Sequence, residues 1–177
     1  MAKNRRTAVG LILGLLMVSA TTADDLVRRE EPWSEAVTPL ASDVELTVAR
    51  TKPMGWEMKR ACLYYAFAGQ RLLERQGIAA SLWVGAVVYA PGTGAAYPIS
   101  PHAWLETSTD FIDFSTLPRW GEVTVIPHEL VATERSEVKP GETRVLVLRR
   151  PENPRLLGYL TAHRARFERR VRRWEGR

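Results

Sequence analysis

The 177-residue sequence contains a single cysteine, Cys62, in surroundings that suit a nucleophile. It lies in WEMKRACLYYAFAGQRLLERQ (56–76), a segment without proline, rich in helix formers and apolar on most sides, which predicts a buried helix. Cys62 would occupy the first turns, where unpaired backbone N–H groups favour the thiolate form. Lys59 and Arg60 add positive potential, although Glu57 opposes it. Because a lone cysteine is also common as a small buried hydrophobe, both interpretations stay open.

A histidine and an aspartate further along the chain would complete a catalytic triad. His102 opens the segment HAWLE (102–106) and Asp113 lies within FIDFS (111–115), and both segments alternate with the period of a β-strand. If the hairpin pairs residues whose numbers sum to 215, His102 and Asp113 lie opposite each other on one face. Asp113 would then orient the imidazole, whereas a slip of one residue would separate the two side chains. An aspartate inside an apolar run needs a partner, which favours this role over a turn residue.

The remaining histidines are weaker candidates for chemistry. His128 follows a proline outside any predicted strand, and His163 lies in the basic C-terminal segment. With Cys62 and His102 they lack the spacing of zinc ligands, so no metal site is expected. One cysteine also excludes a disulfide within the chain.

The elements that must position these residues predict the fold class. After the helix, strand patterns appear at 81–90, 122–126 and 143–148, in addition to the two strands of the triad hairpin. A last helix is predicted at about 155–175. The order of helix, antiparallel strands and helix indicates an α+β fold, with the buried nucleophile helix packed on the sheet.

These segments together resemble the transglutaminase-like branch of the papain-like superfamily. The resemblance rests on R-A-C-L-Y-Y-A-F-A-G-Q-R-L-L-E-R-Q-G-I, a strand ending in V-G-A-V-V-Y, then P-H-A-W-L-E and F-I-D-F, and covers about residues 56–116. The leader-peptide proteases of lasso-peptide maturation are especially similar. The resemblance implies a papain/transglutaminase-like core, with Cys62 as nucleophile, His102 as general base and Asp113 as orienting group. Such an enzyme would act on an amide or peptide substrate through a thioester and need no cofactor.

The sequence departs from that pattern around the oxyanion hole, because no clear glutamine precedes Cys62. The backbone N–H of Cys62 could serve instead, with that of Trp56 as a second candidate. Trp104 shares the predicted face of His102 and could form a wall of the site. The missing glutamine and the short chain also motivate an alternative, a catalytically silent binding or scaffold protein of the same fold.

The net charge of +5 is concentrated at the C-terminus. Residues 161–177 carry seven arginines against Glu168 and Glu175, so the rest of the chain is near neutral and no nucleic-acid partner is expected for it. The basic segment could bind an anionic membrane surface as part of an envelope factor. The favoured alternative is a terminal helix docked by a sparse apolar stripe.

The N-terminus has the layout of a signal peptide, with basic residues followed by the apolar run 8–20 and then small residues. We therefore expect an exported, periplasmic or inner-membrane-associated protein, or a cytoplasmic one if translation starts at Met17. The chain is divided into a signal peptide or N-terminal anchor at 1–23, a transglutaminase-like domain at 24–160 and a basic helical tail at 161–177.

Overall fold

The computed structural model describes residues 34–142 and 144–176, which form five α-helices and six β-strands. The predicted signal segment lies outside the described residues. The helices are α1 (Ser34–Val37), α2 (Ala41–Thr51), α3 (Cys62–Arg75), α4 (Leu117–Trp120) and α5 (Pro154–Glu175). The strands are β1 (Ser81–Tyr89), β2 (Tyr97–Glu106), β3 (Asp110–Asp113), β4 (Thr124–Pro127), β5 (Val131–Ala132) and β6 (Val145–Arg149).

The six strands form one sheet in the order β4-β3-β2-β1-β6-β5. Neighbouring strands are antiparallel throughout, except that the two-residue strand β5 pairs in parallel with β6 at one edge. Helix α3 packs on this sheet, and eight of its fourteen residues are buried. The predicted α+β fold, with a buried helix on a largely antiparallel sheet, is confirmed.

The nucleophile helix begins later than predicted, at Cys62 itself and not at Trp56. The backbone is extended at Glu57, and a 3₁₀ turn over Met58–Arg60 separates it from α3. Ala61 then falls outside the helical region and acts as the N-cap without a side-chain hydrogen bond. Helix propensity is high across the whole segment, so propensity alone did not locate a start that lacks a capping side chain.

The hairpin between β2 and β3 has a register two residues away from the predicted one. Leu105 pairs with Ile112, so the numbers of facing residues sum to 217. The cause is the turn, in which the Thr107 N–H donates to the Asp110 carbonyl at 2.9 Å. The Thr107 hydroxyl also accepts from the Asp110 N–H at 3.0 Å. Because a shift of two residues preserves the side-chain face, the predicted His–Asp pairing survives it as a diagonal contact.

The long helix α5 docks against α2 and α3 through its second half. Phe167 and Val171 are buried in the same core as α3. Glu168 forms an ion pair with Arg71 of α3 at 3.2 Å, and Arg170 donates to the Thr51 carbonyl at 2.8 Å. The helix runs without a break through residue 160, the predicted boundary between the domain and the basic tail.

Candidate active site

Cys62 is the first residue of α3, and the N-cap before it fixes its position. The Ala61 carbonyl accepts hydrogen bonds from the N–H groups of Tyr64 and Tyr65, at 2.8 and 3.0 Å, which starts the helix at the cysteine. The N–H groups of α3 that precede that of Tyr64 have no acceptor within the helix, and they give this end of α3 a partial positive charge. Cys62 is half-buried and lines a cleft.

His102 and Asp113 form a buried pair at the end of the β2–β3 hairpin. His102 Nε2 lies 2.6 Å from Asp113 Oδ2, and the two residues are 3% and 1% exposed. Asp113 Oδ1 accepts from the Ser115 N–H at 2.9 Å and the Ser115 hydroxyl at 2.7 Å. The Tyr89 hydroxyl donates to Oδ2 as well. Both carboxylate oxygens are therefore held in place by hydrogen bonds.

The protonation equilibria of the pair are coupled. Burial alone would lower the pKa of His102, but the adjacent Asp113 carboxylate and its hydrogen bond outweigh burial and raise the pKa. The Cys62 thiol is near enough to raise the pKa of His102 further. Burial would raise the pKa of Asp113, but the charge of His102 and the hydrogen bonds it accepts lower it. The environment thus favours an imidazolium beside a carboxylate.

The second ring nitrogen of His102 is available for chemistry. Nδ1 is buried and has no hydrogen-bond partner among the described residues. It belongs to a residue that lines the same cleft as Cys62. Catalytic hydrogen bonds are often long before substrate binds, so an unpaired Nδ1 near a thiol is compatible with proton transfer between them.

The cleft that contains Cys62 and His102 has a volume of about 1470 Å³. Residues from the 3₁₀ turn before α3, from β1 and β2, from α4 and from the start of α5 line it. Pockets for small molecules usually enclose roughly 300–1,000 Å³. The cleft is therefore larger than a usual small-molecule pocket.

Trp56 and Trp104 occupy different surroundings. The Trp56 ring lines the cleft and stacks on His163 at 5.6 Å between ring centroids, while its backbone N–H donates to the Pro53 carbonyl at 3.3 Å. Trp104 is 1% exposed, is absent from the cleft lining, and stacks beside His102 at 6.4 Å between centroids. Trp104 thus supports the His102 ring from the side.

Glu106, the last residue of the H-A-W-L-E segment, anchors that tryptophan. Its Oε1 accepts from Trp104 Nε1 at 2.8 Å, and its Oε2 pairs with Arg149 at 2.5 Å. The Arg149 guanidinium lies 4.2 Å from the centroid of the Trp83 ring. The carboxylate is therefore a structural group behind the site.

Sequence reasoning missed Tyr89 and Ser115 as partners of Asp113. The contact with Ser115 could have been predicted, because a serine two residues after an aspartate suits an Asx turn. Tyr89 precedes Asp113 by 24 positions and reaches it from β1, and no local pattern signals such a contact.

The other histidines lie apart from the buried pair. His128 is in a 3₁₀ turn after β4, and His163 on α5 has its Nδ1 3.3 Å from the Tyr64 hydroxyl. Within residues 34–142 and 144–176, no cluster of three His, Cys, Asp or Glu side chains could hold a metal ion. Over the same residues, no helix combines the length and apolar character needed to cross a bilayer.

These observations define a class of protein: an α+β domain with a cysteine at the start of a buried helix, beside a histidine–carboxylate pair on an antiparallel sheet. A family model for the transglutaminase-like superfamily matches residues 8–126. The chain therefore belongs to the transglutaminase-like superfamily. No curated protein matches it. A solved structure described as "The crystal structure of genomics APC5867" is similar at 13% identity, over 72% of this chain and 74% of its own, with a TM-score of 0.48.

Proposed function

We propose that the protein is a cysteine hydrolase or acyltransferase that acts on an amide or peptide bond through a thioester. Cys62 is the nucleophile, His102 the general base and then acid, and Asp113 the orienting group. The observation that carries the proposal is the buried His102–Asp113 pair, in which His102 has an unpaired Nδ1 and lines the same cleft as the chain's single cysteine. Membership of the superfamily supports cysteine-based acyl chemistry in general.

The hydrogen bonds support a separate role for each imidazole nitrogen. Nε2 carries its proton and donates it to Asp113 Oδ2, since the carboxylate can only accept. Nδ1 is then the atom that exchanges a proton with the thiol. Asp113 remains ionised and stabilises the imidazolium that this exchange forms.

The reaction follows from these roles. The thiol proton passes first to His102 Nδ1, which gives the imidazolium that the site favours, and the Cys62 Sγ then attacks the carbonyl carbon of the substrate. Collapse of the tetrahedral intermediate breaks the C–N bond, and Nδ1 returns the proton to the leaving amine. Water, or a second amine in an acyltransferase, then attacks the thioester with His102 as base and regenerates the thiol.

The negative oxygen of the intermediate needs a hydrogen-bond donor. The Cys62 N–H at the start of α3 is our candidate, because it lies beside the nucleophile at the positive end of a helix. The Trp56 N–H already donates to the Pro53 carbonyl and would have to exchange that partner.

A direct test is the alkylation of Cys62 by iodoacetamide at neutral pH, which is unambiguous because the chain has one cysteine. We expect rapid modification of the native protein and a rate lower by on the order of ten-fold or more in His102→Ala, since the thiolate loses its partner. His128→Ala, outside the cleft, is the matched control and should react like wild type. A thiol that reacts only after unfolding would identify Cys62 as a packed core residue and contradict the proposal.

The alternative is a binding protein of the same fold that does not use the Cys62 thiol for catalysis. A Cys62→Ala variant that keeps full biological activity would establish that alternative. We keep export to the periplasm or the inner-membrane surface as a proposal, which fractionation of the producing cells would test.

We also propose that α5 binds an anionic membrane surface, because several of its arginines are exposed. Arg169, Arg172 and Arg173 are exposed along the helix. Truncation of the tail would remove the buried Phe167 and disturb the core, so replacing the three arginines by glutamine is the cleaner test. Salt-sensitive sedimentation with anionic vesicles should disappear in that variant, and unchanged binding would contradict the proposal.

A further inference from the structure

The charged side chains that line the candidate cleft are all positive. Among its described lining residues, five carry a positive charge and none carries a carboxylate. The five are Lys59, Arg60, Arg119, Arg150 and Arg155. Because the chain outside residues 161–177 is near neutral, five cations around Cys62 are a local excess of positive charge.

The positive residues come from two parts of the fold. Lys59 and Arg60 are in the 3₁₀ turn immediately before Cys62, and Arg119 of α4 donates to the Lys59 carbonyl at 3.3 Å. Arg150 lies in the connection from β6 to α5, and Arg155 is the second residue of α5. The Arg150 N–H donates to the Val84 carbonyl at 2.8 Å, which ties that connection to β1.

Most of this charge has no internal counter-ion. Among the described residues, only one of these five cations has a carboxylate within 4.0 Å: Arg60 lies 3.6 Å from Glu57, and both side chains are largely exposed. The N-termini of α3 and α5 also face the cleft through Cys62 and Pro154, and each adds partial positive charge. A cleft lined by one sign of charge concentrates ligands of the opposite sign.

We propose that the acyl donor is an acidic peptide, whose carboxylates bind these five cations while a carbonyl carbon is presented to Cys62. The inference rests on the proposed function and names its substrate class. The volume of about 1470 Å³ accommodates several residues. Trp56 and Tyr159 add aromatic walls for apolar side chains between the acidic ones. A nucleic acid would satisfy the charge, but it offers the thiol no acyl carbon.

The experiment uses two alkylating reagents that differ in charge. Iodoacetate is an anion and iodoacetamide is neutral, and Cys62 is the single thiol that either can modify. The rate for each is divided by its rate with the unfolded chain, which removes intrinsic reactivity. We expect the normalised preference for iodoacetate to be on the order of five-fold at low salt and to fall as ionic strength rises.

Charge reversal locates the effect. Arg150→Glu and Arg155→Glu should each lower the preference for iodoacetate on the order of three-fold or more, measured as the ratio of the iodoacetate and iodoacetamide rates of the same variant. Arg169→Glu is the matched control, because Arg169 is exposed on α5 but lies outside the cleft. It should leave the preference unchanged.

Peptide binding completes the test without requiring catalysis. The Cys62→Ala protein is titrated with two fluorescent peptides of equal length, one rich in glutamate and one rich in lysine. We expect the glutamate peptide to bind on the order of ten-fold or more tightly than the lysine peptide at low salt. An oligonucleotide of equal charge should compete poorly with the glutamate peptide. Equal binding of both peptides, or equally strong competition by the oligonucleotide, would overturn the substrate class.

The outcomes separate the two proposals. A Cys62 that reacts with both reagents at the same normalised rate overturns the acidic-peptide inference and leaves the proposed enzyme intact. A Cys62 inert to both reagents in the native protein overturns the proposed function and the inference with it.

Discussion

The Tyr89 hydroxyl donates a hydrogen bond to Asp113 Oδ2, the same carboxylate oxygen that lies 2.6 Å from His102 Nε2. Burial raises the pKa of Tyr89, and the Asp113 carboxylate raises it further, so the phenol stays a donor throughout the physiological range. The hydrogen bond helps to keep Asp113 ionised and limits its rotation. Tyr89 is thus a positioning residue that acts through Asp113.

Replacing Tyr89 by Phe tests this relationship. We expect a loss of about 1.5–3 kcal/mol in the free energy of unfolding, since the donor bonds a buried charged group. Urea denaturation measures it. Tyr65→Phe is the matched control, because the Tyr65 hydroxyl is buried without a hydrogen-bond partner among the described residues and its removal should be neutral or stabilising. Equal losses in the two variants would contradict the role assigned to Tyr89.

The pair should also give the stability a defined dependence on pH. The lowered pKa of Asp113 contributes stability above the unfolded value of about 3.9, which is lost as pH falls. The raised pKa of His102 contributes fully below the unfolded value of about 6.5, and that contribution is lost as pH rises.

Urea unfolding of wild type and His102→Gln over a pH series measures the difference. We expect the stability advantage of wild type to be largest between about pH 4 and 6.5 and to shrink on both sides. An advantage that does not change with pH would mean that the contact is not an ion pair.

Gly69 of α3 is fitted closely to the residue that follows Asp113. A Cβ at this position would overlap the Phe114 ring and lie 3.2 Å from a Leu105 methyl. We expect Gly69→Ala to destabilise the protein by about 1–3 kcal/mol through overpacking. Gly158→Ala is the control, since its Cβ would meet nothing within 4 Å on the exposed side of α5 and should be neutral or stabilising. Chemical denaturation compares both with wild type, and an unaffected Gly69→Ala would disprove the tight fit.

Gly85 of β1 pairs directly with His102 of β2, and its contact with the neighbouring backbone is closer than that of Gly69 with Phe114. A Cβ there would overlap the Leu148 carbonyl oxygen of β6 and lie 3.0 Å from the Arg149 Cα. Because backbone yields less readily than a ring, we expect Gly85→Ala to cost more stability than Gly69→Ala and to slow the alkylation of Cys62. Gly94→Ala, in open space, serves as the reference, and a Gly85→Ala protein as stable as this reference would contradict the prediction.

The sequence predicted the elements of the fold because strong local patterns specify them. Helix α3 and the hairpin around His102 follow from periodicity, and the side-chain face of Asp113 survived an error of two residues in register. The start of α3 and the turn at Thr107 depend on individual backbone and side-chain hydrogen bonds that propensity does not weigh.

The surroundings of the site were harder to predict, because they join residues distant along the chain. Tyr89 reaches Asp113 from another strand, and Arg150 and Arg155 come to the cleft from the far end of the sequence. Such contacts can be predicted only from the strand order of the sheet. Strand β6 lies beside β1 although more than fifty residues separate them.

The burial of Phe167 and Val171 has a consequence for the timing of folding. Two side chains near the end of α5 fill the same core as the nucleophile helix, so that core is incomplete until residue 171 has emerged from the ribosome. The same helix supplies Pro154 and Arg155 to the cleft. The site is therefore assembled late in biosynthesis, and a nascent chain still lacking α5 holds Cys62 without its complete surroundings.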